Sequence, residues 1–184
     1  MKRILFFVLA IVFFTGIIVS GNGWDFYECY NISYACVDGD EIRWGGSTSY
    51  QSCFNAAVDE WNDLDAIDIE PDTWYTYQDL TIMDRYLPGA DFVAIYYITY
   101  GSNEIKFNTY MMEKSEYEDK KTLICMHELG HALGINDHND QSSCHPGNPV
   151  IRDDLVMWWS ARSVREAYTS LQEHDIYAYE QMWD

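Results

Sequence analysis

The chain has 184 residues, 48% of them hydrophobic, enough for one domain with a core of its own. Thirty acidic residues outnumber eleven basic ones, a net charge of −19, which argues against nucleic acid and anionic lipid as partners. Such a surface favours solubility and cationic ligands.

Met1-Lys2-Arg3 precedes an apolar run from Ile4 to Val19, broken by Thr15 and Gly16. The run is shorter than the roughly 20 residues a spanning helix needs. Ser20-Gly21-Asn22-Gly23 then supplies the small residues that a signal peptidase accepts. Residues 1–21 are therefore read as a secretory signal, with an uncleaved anchor holding the domain outside the membrane as the alternative. Residues 22–184 form the domain, and nine basic against thirty acidic residues give it a net charge of −21. In an exported chain the cysteines at 29, 36, 53, 125 and 144 are disulfide candidates, and their odd number leaves at least one without an intramolecular partner. Cys29 and Cys36 could close a short hairpin loop, the pairing of the five being left open, while Cys125 is taken as a buried free thiol. Asn31-Ile32-Ser33 is a lone glycosylation sequon.

"EIRWGG" (41–46) alternates as a strand does and ends on two glycines. From Tyr50 the apolar positions Cys53, Phe54, Ala57, Val58, Trp61 and Leu64 trace one face of a helix, which Ser47 or Thr48 can cap. "AIDIE" is a short strand ending at Pro71. The segments 79–87, 90–100 and 103–112, rich in β-branched and aromatic residues, read as three more strands. A second helix is predicted from about Tyr117 to Leu133, with Gly134 at its C-terminal turn. Residues 135–161 read as loop, and 169–184 as a closing helix with Leu171, Asp175, Ala178 and Met182 on one face. The order predicts an α+β domain with one twisted sheet.

The second helix carries "HELGH". Positions i and i+4 lie on one helix face, so His127 and His131 can both present an imidazole nitrogen to one metal ion at about 2.0–2.1 Å. Glu128 then leans toward a water on that ion. Zinc lowers the pKa of such a water to about 7, and Glu128 can take its proton and deliver it to a leaving amine. After Gly134 turns the chain, Asp137 or His138 can complete the ligand set, though neighbouring side chains in extended backbone point to opposite sides. His145 and His174 are read as surface or helix-face residues, and Cys144 as a disulfide partner. Asp153-Asp154 offers carboxylates to calcium but lacks the oxygen-ligand spacing of a calcium loop.

"HELGHALGIND" resembles the extended motif H-E-x-x-H-x-x-G-x-x-H or D of the metzincin zinc endopeptidases. "HELGHALG" is close to the matrixin branch, and the final aspartate is more like snapalysin. "IRW" with "AAVDEWN" is similar to the matrixin opening strand and first helix, and "NEIKFNTYMM" to the edge strand above the cleft. The resemblance implies a mixed sheet with an active-site helix and a C-terminal helix. It also implies one catalytic zinc held by His127, His131 and Asp137, with Glu128 as general base. Met157, in "LVMWWS", would be the Met-turn methionine beneath the zinc, braced by Asp175. The chain departs from the family in lacking a cysteine-switch motif, and no histidine precedes His127 to build a second zinc site. Met157 follows Asp137 at a longer distance than usual, and no tyrosine stands after it at the place where astacins carry one. The expected protein is a secreted monomeric zinc endopeptidase acting on protein or peptide. The rival expectation is an inactive module of the same fold that binds a metal or a partner, for which Glu128 would have no use.

Overall fold

The computed structural model of the protein describes residue 30 and residues 34–98, 103–137, 157 and 169–183. Residues 1–21, Cys29, the sequon, His138, Cys144, His145 and Asp153-Asp154 lie outside these. Along the chain run β1 (Glu41–Ser47), α1 (Gln51–Asn62), β2 (Asp68–Pro71), β3 (Leu80–Arg85), β4 (Ala94–Ile98) and β5 (Asn103–Asn108). A short α2 (Thr109–Met112), a 3-10 turn at Ser115–Tyr117, α3 (Lys121–Ala132) and α4 (Glu173–Trp183) follow. Among the described residues no helix is long and apolar enough to cross a membrane.

The five strands form one mixed sheet in the order β2-β1-β3-β5-β4, parallel throughout except for β4, which runs antiparallel to β5. The α+β expectation therefore stands, but 103–112 is not the sheet edge. β5 is paired on both sides, and the antiparallel edge is β4. Strand order is set by long-range pairing, which local composition does not encode. The same segment also ends as a strand at Asn108. That residue's buried amide donates to the Leu87 and Phe92 carbonyls and accepts the Leu87 N–H, after which the chain winds into α2.

The spacing from Tyr50 does form α1, and Phe54, Ala57, Val58 and Trp61 all enter the core. Its N-cap is Tyr50, with no side-chain cap. Thr48 instead donates its hydroxyl to Asp84 on β3 and accepts the Tyr50 N–H at 3.2 Å. β1 does not stop at its glycines. Gly46 sits at φ +94°, and a Cβ there would collide with the Ile82 carbonyl, so only glycine lets the strand continue past β3. α1 and α3 pack on Ile42, Ile69, Leu80, Ile82, Ile105 and Phe107, with Phe54 edge-on to both Trp44 and Phe107. Each such side chain fully buried stabilises the fold by about 1.5–3 kcal/mol. None of His127, His131 and Asp137 belongs to this core.

α3 starts at Lys121, four residues later than its spacing suggests, because the 3-10 turn first carries Tyr117 into the core. α4 is anchored far from its own sequence. The Tyr179 hydroxyl accepts the Ile67 N–H at 2.8 Å, its ring lies against Trp61, and Trp61 donates to the Met126 carbonyl at 3.0 Å. Among the described residues Cys36, Cys53 and Cys125 are free thiols, while Cys29, the partner expected for Cys36, lies outside the described residues. Cys36 is buried beside Tyr96, with its N–H bonded to the Ala132 carbonyl at 2.8 Å. Cys125 is buried, as expected of it.

Candidate metal centre

α3 presents its apolar side, including Leu123, Ile124, Met126 and Leu129, to the core, and the side chains of His127 and His131 to Asp137. The two imidazoles stand edge to face with centroids 4.7 Å apart. The helix then ends in two tight backbone bonds. The Gly134 N–H donates to the His131 carbonyl at 3.0 Å, and the Ile135 N–H to the Gly130 carbonyl at 2.9 Å. With Gly134 at φ +96° this is a Schellman ending, which an L side chain at 134 would strain. It reverses the chain so that Asp137 returns to the two histidines.

Asp137 Oδ1 lies 3.2 Å from His127 Nε2 and 3.4 Å from His131 Nε2, and the three ligand atoms all fall within 4.8 Å of one another. Two atoms each about 2.0–2.1 Å from a tetrahedral zinc stand about 3.3–3.4 Å apart. Asp137 Oδ1 is nevertheless buried without an aligned hydrogen bond. Two imidazole nitrogens and a carboxylate oxygen gathered this closely could hold a cation, and two imidazoles with one carboxylate suit zinc better than magnesium or calcium. His131 Nδ1 lies 2.9 Å from the Ile135 carbonyl, which holds its ring with Nε2 toward Asp137. Burial pushes the Asp137 carboxyl up, but the two imidazoles push it down by more and hold it well below the usual carboxylate range.

Glu128 is buried, and its Oε2 has no hydrogen-bond partner. Burial pushes its carboxyl up, with partial relief from His127, His131 and the Tyr96 backbone N–H that faces it from β4. The carboxylate thus sits between the histidine pair and the sheet edge. Asn108 donates its N–H to the Val93 carbonyl, and hydrogen-bonded pairs alternate along an antiparallel ladder. The backbone groups of Ala94, Tyr96 and Ile98 therefore point away from β5, that of Tyr96 toward Glu128.

Met157 is fully buried, and its N–H donates to Asp175 Oδ1 at 3.0 Å. The other oxygen of Asp175 accepts the Gln172 N–H at 3.1 Å, which ties the start of α4 to the same carboxylate. The Met157 thioether reaches α3 at Gly130, where a Cβ would collide with it and crowd Trp61. His174 lies half-buried on α4, outside the His127–His131–Asp137 group. Two contributors were not singled out from the sequence. Gly130 is identifiable only once Met157 is packed on it, and the Tyr96 contribution is a backbone N–H delivered by strand pairing.

No family model matches the sequence, and no curated protein matches it either. Solved structures do match in fold. High choriolytic enzyme 1, a hatching enzyme zinc-protease from Oryzias latipes (medaka fish), aligns with a TM-score of 0.53 and 12% identity over 85% of this chain and 97% of that one. A chain of the GM1-bound form of the ECX AB5 holotoxin aligns with a TM-score of 0.53 and 14% identity over 80% of each chain. At these identities the likeness is one of fold alone.

Proposed function

We propose that the protein is a secreted zinc-dependent endopeptidase, with His127, His131 and Asp137 as metal ligands and Glu128 as general base. The observation that carries this reading is the convergence of two imidazole nitrogens and one carboxylate oxygen within 4.8 Å of one another, beside a buried Glu128 whose Oε2 has no hydrogen-bond partner. The fold likeness to a zinc protease and the H-E-x-x-H spacing support it. Bound zinc supplies a Lewis acid that activates water and polarises a peptide carbonyl.

The rest of the chemistry belongs to the chain's own residues. His131 is held in register by the Ile135 carbonyl, and Asp137 adds a negative charge opposite the imidazoles. Glu128 takes the proton of the attacking water and passes it to the leaving amine nitrogen. The outward backbone groups of β4 bind an extended peptide as an added strand, which brings its scissile bond past Glu128. Met157 and Asp175 support α3 from below at Gly130. Residues 1–21 direct export, so the domain acts outside the cell.

Digestion of casein or gelatin by the purified protein, with and without a chelator and with zinc restored afterwards, tests the proposal. Cleavage that is lost on chelation and regained with zinc supports it. Cleavage indifferent to the chelator, or no cleavage by zinc-loaded protein, overturns it.

A further inference from the structure

The loop from Asp72 to Asp79, between β2 and β3, is built inside out. Trp74, Tyr75 and Tyr77 are 93%, 71% and 79% exposed, while the polar Asp72, Thr73, Thr76, Gln78 and Asp79 are half-buried. Large aromatic side chains ordinarily go inward, so three of them outside on one short loop need an explanation. The loop's own bonding leaves the rings no room beneath it. The Thr76 hydroxyl donates to Asp72 at 2.6 Å and accepts the Thr73 N–H at 2.8 Å. Gln78 fills the space over Gly45, where a Cβ would collide with it. The ends are tied to β1, with the Asp72 N–H on the Trp44 carbonyl at 2.7 Å and the Asp79 N–H on the Arg43 carbonyl at 2.8 Å. Trp74 and Tyr75 also hold each other edge to face at 5.3 Å.

The base of the loop is acidic. Asp79 accepts the Arg43 N–H at 2.8 Å and feels the charges of Asp38, Glu41 and Asp72. Glu70 and Glu41 both pair with the Arg43 side chain. Five carboxylates therefore stand against one guanidinium that two of them already engage. Aromatic faces attract guanidinium and ammonium groups, and surrounding carboxylates strengthen that attraction.

We propose that this loop is a docking surface for Lys/Arg-rich segments of a protein partner, bound by cation–π contact with Trp74, Tyr75 and Tyr77 over the acidic base. The surface is independent of the metal centre and of the endopeptidase reading. A basic protein held here is also a candidate substrate for that centre. A neutral glycan or a zwitterionic bilayer uses the rings but leaves the carboxylates without a role, and an anionic surface is repelled by them.

The test is binding of an unstructured Lys/Arg-rich peptide to the full chain carrying Glu128→Gln, so that the probe stays intact whether or not the parent cleaves it. A Glu-rich peptide, a neutral polysaccharide and zwitterionic vesicles serve as competing probes. The basic peptide alone should bind, and added salt should weaken it. The triple variant Trp74→Ala/Tyr75→Ala/Tyr77→Ala should bind at least about tenfold more weakly, from three exposed cation–π contacts. The triple Phe variant keeps the rings and should keep most of the affinity, and unchanged melting temperatures would show both to be folded. The proposal is overturned if the basic peptide does not bind. It is also overturned if the Ala variant binds as tightly as the parent, or if the glycan or the vesicles are what the rings retain.

Discussion

Asp175→Ala should destabilise the protein strongly, although the residue lies on α4 and outside the metal group. Its carboxylate is fully buried and accepts two backbone N–H groups, from Met157 and from Gln172. Hydrogen bonds to a charged group contribute about 1.5–3 kcal/mol each, so the pair is worth about 3–6 kcal/mol. Deleting the carboxylate also relieves part of the cost of burying it, which leaves a net loss of about 2–4 kcal/mol. For a chain of this length each kcal/mol moves the melting temperature by about 2–4 °C, so a fall of about 10 °C is expected. Asp175→Asn keeps one acceptor oxygen, turns an NH₂ toward the other N–H, and should fall between the parent and Ala. Thermal unfolding followed by circular dichroism, on metal-free and zinc-loaded samples, measures this. A change under about 2 °C for Asp175→Ala would refute the assignment of both bonds to the stability of this corner.

Asp137→Ala should lose zinc from the purified protein while His138→Ala retains it, and the reverse result would make the site a three-histidine one. Chelation should leave the far-ultraviolet spectrum nearly unchanged, because the core of Ile42, Ile82, Ile105 and Phe107 includes none of the three candidate ligands, and a coil spectrum would contradict this. Burial pushes the Cys36 thiol up to about 12 and the Cys125 thiol well above its ordinary value. At pH 8 in the native state, iodoacetamide should therefore label Cys53 ahead of both, and peptide mapping before and after unfolding checks the order.

Local features were legible in the sequence where one element carries the whole signal. The apolar spacing of α1 specified Phe54, Ala57, Val58 and Trp61, because a helix face is written at fixed offsets. His127 and His131 share a helix turn, and Gly134 at φ +96° follows from the same local geometry. The order of the sheet was not legible. β4 is the more apolar strand and β5 carries Asn, Glu and Lys, yet β4 is the edge and β5 the interior, so only their pairing partners distinguish the two. Nor was the continuation of β1 through Gly45 and Gly46, since the glycines look like a stop and serve instead to admit Gln78 and the Ile82 carbonyl. The helix after β5 was hidden for a similar reason: Asn108 ends the strand by bonding to residues 87 and 92, distant in sequence.

The central claim is that Glu128 moves protons and holds no metal. Zinc content and proteolytic turnover of Glu128→Gln, measured on one preparation beside the parent, test it most directly. Full zinc occupancy with turnover lower by about two to four orders of magnitude is the predicted result. Turnover at the parent rate, or loss of the zinc together with the activity, would contradict it.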